Sequence, residues 1–190
     1  QDGPTQHLTK RGTPTMGGVV IILATVVAWL IGALVAGAGP SWSGILLAFL
    51  FVGLGTIGLL DDGIKIMRQR SLGLHPSGKI VGQVAVASLF AGGTLIRPNE
   101  FGELAGTLEI SLARPTPLTL GFAGMAIGVI LYLIWTNLIV TAWSNATNLT
   151  DGLDGLAAGV SIFVFGAYTF IAYFQRIQAC TQPDVNRAAC

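Results

Sequence analysis

Five stretches of this chain, roughly Val19–Ala36, Gly44–Leu60, Ile80–Ile96, Leu118–Ala142 and Leu153–Phe174, run for 17 to 25 residues almost without charge. An α-helix rises about 1.5 Å per residue, so about 20 apolar residues cross the roughly 30 Å of a bilayer's hydrocarbon. A water-soluble domain carries about 25% charged residues; this chain of 190 residues carries 10%, against 52% hydrophobic. The predicted fold is therefore all-α, a polytopic transmembrane helix bundle with the lipid bilayer as its solvent. Glycines inside the apolar runs, as in "VGLGTIG", suit close helix packing.

Alternate gaps between helices lie on opposite membrane faces. One face takes residues 1–18, 61–79 and 143–152, with Lys10, Arg11, Lys65, Arg68, Arg70 and Lys79. The other takes 37–43, 97–117 and 175–190, with Arg97, Arg114, Arg176 and Arg187. Six cations against four make the first face cytoplasmic. The external segment "GTLEISLA" alternates apolar and polar residues and is expected to form a small hairpin. Cys180 and Cys190 fall on that face; a disulfide and two free thiols are both compatible with it. The basic residues are scattered over short loops, which points to no nucleic-acid partner. The chain opens on the polar Gln1 with no signal peptide and stops soon after an apolar run. It is expected to be part of a longer protein.

Two motifs are set aside by context. "GLGTIG" (Gly53–Gly58) matches the dinucleotide-binding pattern, which needs a strand before it and a helix after it. Here it lies inside an apolar run, where helix packing explains it better. The sequons "NAT" and "NLT" (Asn145–Thr147, Asn148–Thr150) lie on the cytoplasmic face, where glycans are not added.

Three polar clusters remain, all on that face. In "LLDDGIKIMRQR", two Asp end a membrane helix; if the helix continues, Asp61 and Asp62 share a face with Lys65 at i,i+4 and i,i+3. The bland alternative is a polar border with a surface ion pair worth about 0–1 kcal/mol. Yet two adjacent carboxylates at a helix C-terminus oppose the helix dipole and need an offset, which a bound cation supplies. In "SNATNLTDGLDGLAAG", Asn145, Asn148, Asp151 and Asp154 follow at spacing three. On a helix, the last three span an arc of about 120°, with Asn145 on the far side. Gly152 and Gly155 make a break easy. Capping by Asn148 or Thr150 is the competing explanation, and it leaves Asp154 unexplained. In "DGPTQHLTKRGTPTMGG", Lys10, Arg11 and threonine hydroxyls suit phosphate, and a positively charged border is the alternative. Carboxylates together with cationic and amide donors suit a magnesium-bound phosphorylated substrate.

"KRGTPTMGG", "LLDDGIK" and "NATNLTDGLDGLAAG", in this order and on one face, resemble the bacterial phospho-N-acetylmuramoyl-pentapeptide-transferases, of the polyprenyl-phosphate N-acetylhexosamine-1-phosphate transferase superfamily. The resemblance runs over the whole chain, and "TPTMGG" favours the peptidoglycan enzymes over relatives that transfer GlcNAc-1-phosphate. It implies a ten-helix enzyme of the bacterial inner membrane, often a homodimer, with its active site cytoplasmic. That enzyme transfers phospho-MurNAc-pentapeptide from UDP-MurNAc-pentapeptide to undecaprenyl phosphate, releases UMP and requires Mg²⁺.

By resemblance, Asp61 and Asp62 are the catalytic pair near the reacting phosphates. Lys10 and Thr15 match loop residues near the nucleotide sugar. Asn148, Asp151 and Asp154 match the polar wall of the nucleotide cleft, opposite the pair, and Lys65 is placed with the substrate-binding residues. Asp61 is expected to keep the lipid phosphate deprotonated and positioned while Asp62 supports the Mg²⁺-bound diphosphate; a covalent aspartyl route competes. The family's first helix, its later magnesium-ligating Asp and its His-rich loop have no counterpart in these residues. The chain is thus expected to be the N-terminal half of the bundle, inactive alone, with the main metal ligand outside it. An ion-coupled transporter is the rival from another class, but it calls for acids near the midplane and repeated halves. A non-catalytic assembly subunit is a second rival.

Overall fold

The computed structural model describes residues 17–37, 39–68, 72–98, 104–111, 115–150 and 155–177. These form five helices long and apolar enough to cross a membrane. They are α1 (Gly17–Val35), α2 (Trp42–Arg68), α3 (Pro76–Ile96), α4 (Met125–Thr150) and α5 (Leu156–Ile177). Two short strands, β1 (Glu109–Ser111) and β2 (Pro115–Thr119), pair antiparallel between α3 and α4. The chain divides into two compact units, Gln1–Ala142 and Trp143–Cys190.

In the first unit α2 packs against both α1 and α3. Small residues set the spacing. A Cβ on Gly53 of α2 would come within 2.7 Å of Val86 on α3. Gly55, two residues on, faces Ile22 of α1. Both glycines belong to "GLGTIG", which is helical throughout, so helix packing is what this motif serves. Leu46, Ala87 and Ala91 form the small apolar core, and Gln83 and Thr94 are buried beside them. Most other large apolar side chains are exposed. In a membrane that surface meets lipid tails as apolar as itself, so close packing and polar contacts hold helices together. The polar contacts are present. Asn137 on α4 donates to Ser88 Oγ on α3 at 3.0 Å. Thr94 and Tyr132 share a hydroxyl contact of 2.8 Å. Trp42 Nε1 donates to the Gly93 carbonyl at 3.1 Å.

The first strand of the hairpin lies within "GTLEISLA", where the alternation put it, with Glu109 opposite Thr119. Its second strand takes residues that the apolar pattern had given to the fourth helix. That helix starts at Met125 rather than near Leu118. Pro115 and Pro117 favour the extended strand, and a 3-10 turn at Leu120–Ala123 that ends on Gly124 at φ +100° delays the helix to Met125. At the other end α4 continues to Thr150, eight residues past Ala142.

Candidate active site

The site begins where α2 turns polar. The helix does not stop with the apolar run at Leu60 but continues through Arg68. Nineteen residues, Trp42 to Leu60, already rise about 28 Å, nearly the roughly 30 Å of the hydrocarbon, so the polar residues that follow suit its border. Because the helix continues, Lys65 meets both acids. Its Nζ lies 2.8 Å from Asp61 Oδ2 and 3.0 Å from Asp62 Oδ1. One ammonium thus bridges two adjacent carboxylates and offsets their mutual repulsion; because the helix runs on to Arg68, they do not sit at its C-terminus.

The two acids have different surroundings. The Asp61 side chain is 15% exposed, and that of Asp62 is 49% exposed. The difference comes from the loop before α3. Leu74 donates its backbone amide to Asp61 Oδ1 at 2.8 Å. Asp61 is therefore held at one oxygen by an amide and at the other by an ammonium, both of which favour its ionised form. The loop comes this close because residue 73 is glycine. A Cβ there would meet the Asp61 carboxylate and would lie 2.7 Å from its main-chain oxygen. The loop then enters α3 through Pro76 in its first turn, where His75 Nδ1 and Ser77 Oγ are 2.7 Å apart. Neither Gly73 nor Leu74 carries a functional group, so sequence reasoning had no signal for this contact.

Asp62 faces the other way. It lies at one end of a groove between α1 and α2 of about 360 Å³, lined otherwise by glycines, Thr56 and apolar residues such as Ile22, Leu23, Val52 and Leu59. The groove joins a charged end to an apolar wall, a shape that suits an amphipathic ligand.

The second unit carries Asn148, exposed near the end of α4. Asn148 lies inside α4 and Thr150 is its last residue, so neither precedes the first turn of α5 at Leu156 as a cap would. Thr150 Oγ1 bonds back to the Ala146 carbonyl at 2.9 Å, and Thr147 Oγ1 to that of Trp143 at 2.9 Å. A break does follow. Gly155 has φ +77°, and α5 begins one residue later. Lys10, Thr15, Asp151 and Asp154 lie outside the described residues, as do Cys180 and Cys190. The structure thus brings together Asp61, Asp62 and Lys65 of the expected set.

Magnesium can be tested against this arrangement. Among the described residues no group of three or more His, Cys, Asp and Glu comes together. Asp61 and Asp62 already share Lys65. The described residues alone do not make a magnesium site.

Residues 42–183 match the family model for glycosyl transferase family 4. Residues 10–22 match signature 1 of phospho-N-acetylmuramoyl-pentapeptide-transferase. The chain is 54% identical over 180 residues to the phospho-N-acetylmuramoyl-pentapeptide-transferase of Beutenbergia cavernae, covering 95% of this chain and 50% of the relative. To the proteins of the same name in Paenarthrobacter aurescens and Micrococcus luteus it is 50% and 53% identical. Those matches cover 100% and 94% of this chain and 53% and 50% of the relatives. The chain therefore spans about half the length of the curated relatives it matches. No solved structure matches it.

Proposed function

We propose, from the premise that this chain belongs to glycosyl transferase family 4, that the protein it forms part of makes a lipid-linked muropeptide precursor. It transfers phospho-MurNAc-pentapeptide from UDP-MurNAc-pentapeptide to undecaprenyl phosphate in the inner membrane, at the cytoplasmic face. The observation that carries this is the Asp61–Asp62–Lys65 cluster at the polar end of a membrane helix, with Asp62 at the end of an apolar groove. A phosphorylated lipid has its charge at that depth and its chain in the hydrocarbon. The signature on residues 10–22 favours the muramoyl substrate over a GlcNAc-1-phosphate one.

In this reading the ionised Asp61 accepts a hydrogen bond from the lipid phosphate and keeps that group aligned for attack. Each of its oxygens has a further lone pair beyond the contact it already makes. A deprotonated lipid-phosphate oxygen attacks the phosphorus attached to MurNAc. The bond from that phosphorus to the UMP oxygen breaks, and UMP leaves with the electron pair. Lys65 lies where it can balance charge gathered on the phosphates. Lys10, Thr15, Asn148, Asp151 and Asp154 are assigned to the nucleotide sugar. The reading includes a magnesium dependence, with a ligand shell that the described residues do not complete, and a homodimer in the bilayer.

The test uses the full-length protein in lipid nanodiscs, supplied with undecaprenyl phosphate and UDP-MurNAc-pentapeptide, with UMP release as the readout. Replacing Asp61 by Asn should lower turnover by about 10² or more, the range expected when a reacting group loses its alignment. Normal turnover in Asp61→Asn would remove Asp61 from the reaction. Release of UMP from UDP-GlcNAc instead would assign the protein to the GlcNAc-1-phosphate transferases, and absence of UMP release from either sugar would favour a transporter or an assembly subunit.

A further inference from the structure

We infer that Gly73 is a positioning residue for the reaction: the loop before α3 sets the direction of the Asp61 carboxylate, and it can do so only because position 73 has no side chain. The inference rests on the reading of Asp61 given above and adds a residue to it.

Asp61 lies on a helix that is regular on both sides of it. Its backbone is therefore fixed, but its carboxylate still has rotamers to choose among. Two contacts choose. Lys65 comes from the same helix, one turn on, on a long flexible stem. Leu74 N–H comes from a separate segment and is part of the backbone, so it has no rotamers of its own. The second is the more rigid guide.

Gly73 lies directly against this contact. A Cβ there would be 2.7 Å from the Asp61 carbonyl oxygen and closer still to Oδ1. The carbonyl belongs to a continuing helix and cannot swing aside. Gly73 is not among the glycines at positive φ, so alanine would suit its backbone and is excluded by space alone. Adding one methyl must therefore lift the loop and withdraw the Leu74 amide from Oδ1. The carboxylate then keeps Lys65 but loses its second anchor. A misplacement of about 1 Å at a reacting group can cost about 10²-fold in rate.

The test uses the full-length protein in nanodiscs with UMP release as above. Gly73→Ala should lower kcat by about tenfold or more while the KM for UDP-MurNAc-pentapeptide stays within about twofold. Gly78→Ala is the matched control. It makes the same chemical change in the first turn of α3, where nothing lies within 4 Å of the new Cβ. It should keep the wild-type kcat. Wild-type kcat in Gly73→Ala, or equal losses in both variants, would overturn the inference. So would a Gly73→Ala rise in KM matching its fall in kcat.

If Gly73→Ala does not fold, amide exchange at Leu74 decides instead. The amide should exchange at least about tenfold faster in Asp61→Ala than in the wild type, and equal exchange overturns the contact. A normal rate in Asp61→Asn would sink the catalytic reading of Asp61 while the exchange result still reports on the loop. The two failures are thus told apart.

Discussion

Leu74 reaches back thirteen residues along the chain to donate its backbone amide to Asp61 at 2.8 Å. That contact separates two carboxylates that are neighbours in sequence. Asp61 is anchored at both oxygens and largely covered, whereas Asp62 is half exposed at the end of a groove. Adjacent residues on a helix point about 100° apart, so the pair has one member turned toward the α3 loop and one toward α1. An anchored, ionised acid can hold a hydrogen-bond donor in one direction, and an open one can meet a ligand. The asymmetry thus matches the division of labour proposed for them.

Lys65 is expected to matter more to turnover than to stability. It is 37% exposed, and exposed ion pairs contribute about 0–1 kcal/mol. Its removal leaves two adjacent carboxylates facing phosphates without a cation between them. Lys65→Gln should lower UMP release by about tenfold or more, since hydrogen bonds to charged groups are worth about 1.5–3 kcal/mol. Thermal unfolding in detergent should move by no more than a surface pair allows. Lys65→Arg should recover only part of the rate, because a planar fork does not reproduce one compact ammonium shared by two acids. A large fall in unfolding temperature, with normal turnover per folded molecule, would make the cluster a structural border.

The small residues of α2 give a second prediction, about packing. Gly53→Val places atoms where Val86 already lies, 2.7 Å from the first added carbon. Overpacking of this kind costs about 1–3 kcal/mol. Gly58 belongs to the same motif, yet nothing lies within 4 Å of a Cβ there. Gly58→Ala should be neutral or stabilising by up to about 1 kcal/mol, since glycine is a poor helix former. Thermal unfolding of the two variants in the same detergent checks the contrast. Equal effects would show that the motif does not set the α2–α3 spacing.

These cases show where the sequence was legible. The helix bundle was, because five long uncharged runs have few other solutions. The first strand of the hairpin was, because its alternation has period two; the second was not, because Leu118 and Thr119 read as the start of a helix. The ends of the helices were not. At the end of α2, Asp61 and Asp62 look like a border, but Lys65 pairs with both on the helix surface and the helix continues. At the end of α4, "NATNLT" looks like a loop, but Thr147 and Thr150 return their hydroxyls to carbonyls one turn back and stay helical. Polar composition alone does not distinguish a loop from a helix leaving the membrane. The Asp61 cluster was legible through its i,i+3 and i,i+4 spacing. The Leu74 contact was not, because a backbone amide has no signature and its partner is set by how the chain folds back.

Gly155 offers the last prediction, within the second unit. Its φ of +77° lies in the left-handed region, which costs an L-residue with a Cβ about 1–2 kcal/mol. The residue directly precedes α5, and its carbonyl accepts a hydrogen bond from Gly159 N at 2.8 Å. Gly155→Ala should therefore destabilise by about 1–2 kcal/mol. Gly159→Ala, inside α5 with open space around the new Cβ, should stabilise by about 0.5–1 kcal/mol. The kinetic consequence follows from the roles proposed for Asn148, Asp151 and Asp154. If they line the nucleotide cleft, re-aiming the connection weakens binding of the nucleotide sugar before it affects the reacting phosphates. In the full-length protein Gly155→Ala should raise the KM for UDP-MurNAc-pentapeptide several-fold with kcat little changed, the reverse of the pattern expected for Gly73→Ala. The same kinetic split in both variants would mean that the two loops do not serve separate ends of the substrate.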